Sequence, residues 1–272
     1  MRQFIFNGKT EKNGSIIVTG KDYRYLMNVL RLKINDKIDV RLKNGNLELM
    51  EIIRCDGKTA LLKPVPRAEA KEAALVTQGV SAFSLAEQTS ATQKEYWLFQ
   101  FMPKPQKMDL IIRQATECGV AVIVPIVGEF SVNQDGKGRL ERWDRIVKEA
   151  RQQSGSPVST RILSPVSVNE AAKIWEEFES SEKRAFILHE NPEKGVSLFS
   201  GDFSENKLIC KDVKKIALAV GCEGGFSEKE YEALNQVGFL PLHFKTNVLR
   251  AETAALYGIA VLQQSFELFC KE

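Results

Sequence analysis

Two short segments of this 272-residue chain hold residues whose types and spacing could do chemistry. The first is Gly221-Cys222-Glu223-Gly224-Gly225-Phe226-Ser227. Several glycines in so short a run let a backbone turn tightly and approach a ligand with no Cβ in the way. The spacing fits neither GxGxxG with its downstream acid nor GxxxxGK[ST], which weighs against hydride transfer from a dinucleotide and against phosphoryl transfer. A carboxylate amid glycines, Glu223, would repel a phosphate but could hold a cationic or hydroxyl-bearing ligand. The plainer alternative is a strand-to-helix turn, though such turns rarely need three glycines.

The second segment is Val248-Leu249-Arg250-Ala251-Glu252-Thr253-Ala254-Ala255. Arg250 and Glu252 stand at the start of an expected helix, where polar side chains can face a site. Glu252 in a first helical turn would also suit the helix dipole with no function at all. The small Ala254, Ala255 and Gly258 suit close packing of that helix against another helix or a second subunit. A third group, Lys104, Lys107, Arg113, Arg142, Arg145, Lys148 and Arg151, clusters around loop–helix segments, and for most of them surface charge is the ordinary explanation.

The elements that must position these residues differ along the chain. Short runs at 2–6, 15–18, 37–42, 47–53 and 59–62 alternate partially, with turn residues at Asn13-Gly14, Asn44-Gly45 and Asp56-Gly57, and predict strands. Tyr25, Leu26, Val29 and Leu30 predict one amphipathic helix over 21–32. Five strands and a helix make a small barrel-like module. Pro64 and Pro66 open an Ala-, Ser-, Thr- and Gln-rich stretch that reads as a linker, with a short helix at 68–76. From Glu95 the pattern alternates. Strands are expected at 96–101, 120–127, 184–188, 215–220 and 240–244, and helices at 107–118, 140–153, 168–178, 227–237 and 251–268. Such alternation means an α/β sandwich around a mostly parallel sheet, with ligands bound beyond the carboxyl ends of its strands. Ser227 and Glu230 fit a capping box that starts one helix.

Composition, 43% apolar and 27% charged, is that of a soluble globular protein. The N-terminus turns polar after three apolar residues, and no apolar run approaches a membrane span, so a cytoplasmic protein without a membrane partner is expected. The five cysteines form no CxxC pair, and only His189 and His243 are present, so neither disulfides nor a metal site is expected. Net charge is +3, yet residues 1–63 carry 13 Lys/Arg against 7 Asp/Glu. That basic third fits either an anionic partner, nucleic acid being the commonest, or a solvated face.

Taken together, Gly221–Ser227 and Asn247-Val248-Leu249-Arg250-Ala251-Glu252-Thr253-Ala254 resemble the GPEGGFS and RxLRxETA motifs of the RsmE family, SPOUT-class methyltransferases of small-subunit ribosomal RNA. The resemblance extends to Pro103-Lys104 with Lys107-Met108-Asp109, to 115–120 and 123–125, to Arg142-Trp143, and to Leu26 with Val29-Leu30-Arg31. It covers nearly the whole chain apart from the linker. It implies a PUA-like β-barrel over 1–65, a linker over 66–94 and a SPOUT domain with a trefoil knot over 95–272. It also implies a homodimer that acts on small-subunit RNA, free or assembled, and not on DNA.

The implied reaction moves a methyl group from S-adenosyl-L-methionine to N3 of a uridine. Carried onto this sequence, the family's pocket implies cofactor contacts from Leu188, Gly221, Glu223, Gly224, Gly225, Val248, Leu249 and Thr253. Catalysis falls to Arg250, which would stabilise a developing uridylate, with Glu252 or Glu223 relaying its proton. Arg2, Arg24, Arg31, Lys104 and Lys107 are the expected RNA contacts. Departures from the family pattern are Cys222 for Pro, Asn247 for Arg, Ala251 for Thr, Phe130 and Ser156 for Arg, Tyr25 for His, and Phe244-Lys245 for Leu-Gly. These leave open a member with an altered RNA target or lost activity. An unrelated small-molecule α/β enzyme is the third reading, disfavoured by the missing phosphate-loop spacings.

Overall fold

The computed structural model describes residues 3–66, 94–131, 137–190 and 213–268. Arg2, the helix expected at 68–76, most of the linker, Cys210 and Cys270 lie outside them. The chain divides into two compact units.

The first unit is a five-stranded sheet: β1 (Gln3–Phe6), β2 (Ile16–Thr19), β3 (Lys37–Leu42), β4 (Leu47–Cys55) and β5 (Thr59–Pro64), in the order β1-β3-β4-β5-β2. Its neighbours pair antiparallel except β1 with β3. Alternate side chains, among them Phe4, Ile16, Val18, Val40, Met50, Ile52 and Leu62, are buried to form its core. The β4–β5 turn is fixed by Asp56, whose carboxylate accepts the Thr59 hydroxyl and the N–H groups of Lys58 and Thr59. Those bonds, the hydroxyl's foremost, lower its pKa to about 2.

The helix expected over 21–32 is shorter and of mixed type. Helix α1 (Gly20–Arg24) widens into a π-helical turn at Tyr25–Val29, closed by Leu30 N–H donating to the Tyr25 carbonyl, and the chain leaves through Arg31 at φ +55°. A wider turn takes more residues per revolution, so residues three and four apart no longer stack on one face. Leu26 is buried, while Val29 is 66% exposed.

The second unit is a parallel sheet between helices. Its strands are β6 (Glu95–Phe101), β7 (Val122–Val127), β8 (Arg161–Ile162), β9 (Val166–Ser167), β10 (Lys183–Leu188), β11 (Lys215–Val220) and β12 (Phe239–Leu242). The order is β12-β10-β11-β6-β7, with the two-residue β8 and β9 both on the far edge of β7, and every pair is parallel. The period-2 alternation of β6 serves two cores: Trp97, Phe99 and Phe101 face one way, Leu98 the other. Helices α2 (Pro105–Glu117), α3 (Leu140–Ser154) and α6 (Ala251–Leu268) supply the Leu98 side, and α4 (Val168–Glu176) and α5 (Glu228–Gln236) the aromatic side.

Local rules explain the helix ends. Pro105 sits in the first turn of α2, and Gly119 at φ +76° lets the chain turn away after it. Ser167 and Glu170 cap α4 reciprocally. The small residues of α6 are used within this unit: Ala254 and Ala255 are buried, and a Cβ on Gly258 would come 2.6 Å from Leu218 Cδ2 of β11. Gln263 Nε2 donates to the Cys118 carbonyl, tying α6 to the end of α2. Among the described residues no helix is long and apolar enough to cross a membrane.

Candidate active site

Strands β10, β11 and β12 are neighbours or next neighbours and end side by side at Leu188, Val220 and Leu242, so their following loops share one end of the sheet. The loop after β11 is Gly221–Ser227. Gly225 N–H donates to the Cys222 carbonyl, closing a tight turn around Glu223 and Gly224. The glycines are sterically required. A Cβ on Gly221 would lie 2.8 Å from Gly225 Cα, one on Gly224 would lie 2.8 Å from Phe130 Cβ, and Gly225 has φ +75°.

Two polar side chains hold this loop from below and behind. Gln100, fully buried at the end of β6, donates through Nε2 to the carbonyls of Val220 and Gly221. Glu230, also buried, accepts Ser227 N–H on one oxygen and Glu129 N–H on the other. Gly128 makes room for that carboxylate, because a Cβ there would stand 2.5 Å from Glu230 Oε1. Cys222 fills the family's proline position as a buried side chain, and burial raises its thiol pKa above the ordinary value.

The facing segment runs from His243 to Arg250. With the glycine loop it encloses a cavity of about 230 Å³ lined by Leu188, His189, Glu190, Val220, Gly221–Phe226, His243, Phe244, Thr246–Leu249, Ala251 and Ala254. No Lys or Arg lines it among the described residues; Glu190 and Glu223 do. His243 Nδ1 lies 3.1 Å from the His189 carbonyl, which can only accept, so that nitrogen carries the proton in this arrangement.

Glu223 projects toward α2. Its Oε1 accepts Lys104 N–H at 3.3 Å and lies 3.2 Å from Lys107 Nζ, and the same ammonium stands 3.4 Å from Glu252 Oε2. Burial alone would raise the Glu223 pKa; hydrogen bonds from its own and the Lys104 backbone N–H, together with Lys107, outweigh it and hold the carboxyl below its usual range. For Lys107, burial works to lower the pKa, and the two carboxylates more than reverse it.

Of the residues expected from sequence, Leu188, Gly221, Glu223, Gly224, Gly225, Val248 and Leu249 line the cavity. Thr253 does not. It is exposed, because α6 turns Ala251 and Ala254 inward and leaves the position between them facing away. Arg250 is exposed and makes no ion pair with a described residue, while its carbonyl accepts Ala254 N–H at 2.7 Å. Glu252 joins Glu223 through Lys107. Lys107, expected as an RNA contact, is paired with these two acids. Lys104, Arg24 and Arg31 are exposed, the last two in the first unit.

Sequence reasoning passed over both histidines. Each directly follows a strand, Leu188 or Leu242, and the rule that parallel sheets bind ligands beyond their strands' carboxyl ends would have found them. Phe130, at an arginine position of the family, is 45% exposed beside Gly224.

Residues 90–263 match the family model described as RNA methyltransferase domain, and residues 18–65 match the RNA methyltransferase PUA domain. The chain is 33% identical over 178 residues to the Ribosomal RNA small subunit methyltransferase E of Aquifex aeolicus, covering 64% of this chain and 71% of that protein. The enzyme of that name from Bacillus subtilis is 25% identical, over 95% of this chain and 93% of its own length. The solved structure of a Neisseria gonorrhoeae Ribosomal RNA small subunit methyltransferase E bound to S-adenosyl methionine superimposes with a TM-score of 0.74 at 22% identity, over 97% of each chain.

Proposed function

This chain belongs to the RsmE family of RNA methyltransferases, and from that premise we propose that it methylates N3 of a uridine in small-subunit ribosomal RNA, using S-adenosyl-L-methionine. The observation that carries the reading is the chemistry of the cavity. Glycine backbone approaches it closely, Leu188, Phe244, Val248 and Leu249 give it apolar surface, and its charged lining is acidic with no Lys or Arg among the described residues. That lining suits an adenosine carrying a sulfonium cation and disfavours a nucleotide phosphate.

Leu188, Gly221, Gly224, Gly225, Val248 and Leu249 would hold the cofactor. When bound, the cofactor supplies an electrophilic methyl group. The protein's task is to bring N3 of the base to it and to take away the N3 proton. Arg250, exposed beside the cavity and without a described acidic partner, would steady the negative charge that develops on the base. Glu252 or Glu223 would receive the proton.

Residues 1–65 read as the PUA-like module that holds RNA through Arg2, Arg24 and Arg31, 66–94 as a linker, and 95–272 as a knotted SPOUT catalytic domain. Lys104 would add a contact to the RNA backbone. The protein acts in the cytoplasm as a homodimer, on free small-subunit RNA or the assembled subunit.

Two measurements test the reading. Calorimetric titration with S-adenosylmethionine should give saturable binding; its absence removes every methyltransferase reading. Incubation with isolated small subunits followed by nucleoside analysis should give 3-methyluridine. Cofactor binding without methyl transfer would instead favour an RNA-binding member with an altered target or lost activity, which the Cys222, Asn247, Ala251 and Phe130 substitutions otherwise leave as the second reading.

A further inference from the structure

One ammonium serves two carboxylates beside the cavity: Lys107 Nζ lies 3.2 Å from Glu223 Oε1 and 3.4 Å from Glu252 Oε2. A lysine that binds RNA phosphates gains its affinity by releasing counterions from the nucleic acid. Here the ammonium is already neutralised, and an approaching phosphate would meet two acids as well. We infer, on the reading of the protein as a uridine methyltransferase, that Lys107 is a positioning residue of the methyl-transfer site and not an RNA contact. It holds Glu223 to the cofactor loop and Glu252 in place as the proton acceptor.

The charges decide between the two acids. Two carboxylates and one ammonium leave a surplus negative charge on the group. Glu223 is well supplied with donors, because the Lys104 N–H also points at the oxygen that Lys107 touches. Glu252 Oε2 is buried and, among the described residues, has the Lys107 ammonium at 3.4 Å as its one nearby donor. Glu252 is therefore the less compensated of the two carboxylates, with one cation at 3.4 Å where Glu223 has a cation at 3.2 Å and a backbone donor besides.

The step then balances. The uridine N3–H bond breaks, and its proton bonds to a Glu252 oxygen. The nitrogen pair forms the new bond to the methyl carbon while the carbon–sulfur bond breaks with its pair left on sulfur. Glu252 afterwards releases the proton to water. Lys107 stays paired with Glu223 throughout, so no bare charge is left in the half-buried group.

The test compares wild type with Lys107→Met, Lys107→Arg, Glu252→Gln and the Lys107→Met/Glu252→Gln double variant. It reads saturated single-turnover methylation of isolated small subunits, affinity for those subunits across a salt series, and calorimetric S-adenosylmethionine affinity. Lys107→Met and Glu252→Gln should each slow the saturated rate by about 100-fold. Lys107→Arg should recover about tenfold of that loss, and the double variant should be no slower than the slower single, as for residues acting as a unit. Subunit affinity and its salt slope should not move.

A Lys107→Met protein with wild-type saturated rate, weaker subunit binding and a salt slope shallower by about one would make Lys107 a phosphate contact and overturn the inference. Multiplying effects in the double variant would overturn the coupling. Should Lys107→Met fail to fold, a fully active Glu252→Gln would be enough to sink the proposal. A wild-type protein that binds S-adenosylmethionine and never methylates would be a failure of the functional reading itself, recognisable because no variant is involved.

Discussion

The two walls of the cavity are built on opposite plans. The Gly221–Ser227 wall is over-determined: a Cβ on Gly221 would stand 2.8 Å from the Gly225 backbone, Gln100 grips the loop's first carbonyls, and the buried Glu230 ties its end to Glu129. The 245–250 wall is irregular and mostly exposed, with Val248 at 78%, and one short bond from Thr246 N–H to the Phe244 carbonyl near its start. The contrast separates two tasks. A rigid wall fixes where a ligand's polar edges must lie, and an open one leaves apolar surface for the ligand to cover.

Breaking the rigid wall should have the largest effect. Gly221→Ala inserts a Cβ against backbone that cannot swing aside, costing roughly 1–3 kcal/mol of stability. It should lower S-adenosylmethionine affinity at least 100-fold, read by a thermal melt and by calorimetry. Glu230→Gln keeps the shape but turns one acceptor into a donor, so Ser227 or Glu129 N–H loses its partner. Denaturant unfolding should register a loss of about 1–3 kcal/mol, with a smaller drop in cofactor affinity than for Gly221→Ala. If both variants melted like wild type, the loop would not be over-determined.

On the open wall the pattern should invert. Val248→Ser should change stability by less than about 0.5 kcal/mol, as an exposed substitution does. Yet it should weaken cofactor binding severalfold, because the apolar surface is covered only in the complex. The smallest effect expected is with pH. Glu223 has a depressed pKa, so its contribution is fully present above the ordinary carboxylate pKa and is lost as pH falls through the depressed value. Below the ordinary carboxylate range, S-adenosylmethionine affinity should therefore fall more steeply for wild type than for Glu223→Gln, and calorimetry on the two proteins side by side isolates that acidic limb from the titration of the cavity histidines.

The same contrast governs what could be read in the sequence. The rigid wall announces itself through glycines, since no other residue satisfies those backbone distances, and the Ser227/Glu230 pattern marks the helix start. The parallel sheet is legible for a similar reason: β6, β7 and β11 are buried on both faces and read as near-continuous apolar runs. What escaped depends on distance or on backbone detail. Lys107 and Glu223 are far apart in sequence, and lysine on a helix looks the same whether it meets water or an acid. The π-helical turn at Tyr25–Val29 escaped because an apolar pattern at helical spacing does not distinguish a bond to the fifth residue from one to the fourth. Strands β8 and β9, at two residues each, are too short to show alternation.

The sheet order carries a consequence for how this protein comes into being. β11 is inserted between β6 and β10, pairing Glu95–Gln100 with Lys215–Val220 across more than a hundred residues of chain. Closing so large a loop costs entropy before any contact repays it, and such topologies fold slowly. During synthesis the β6 edge must wait for β11 to emerge, then for the last helix to cover the face that Leu218 and Gly258 share. The cavity, lined by residues from Leu188 to Ala254, is thus incomplete until the start of α6 has left the ribosome.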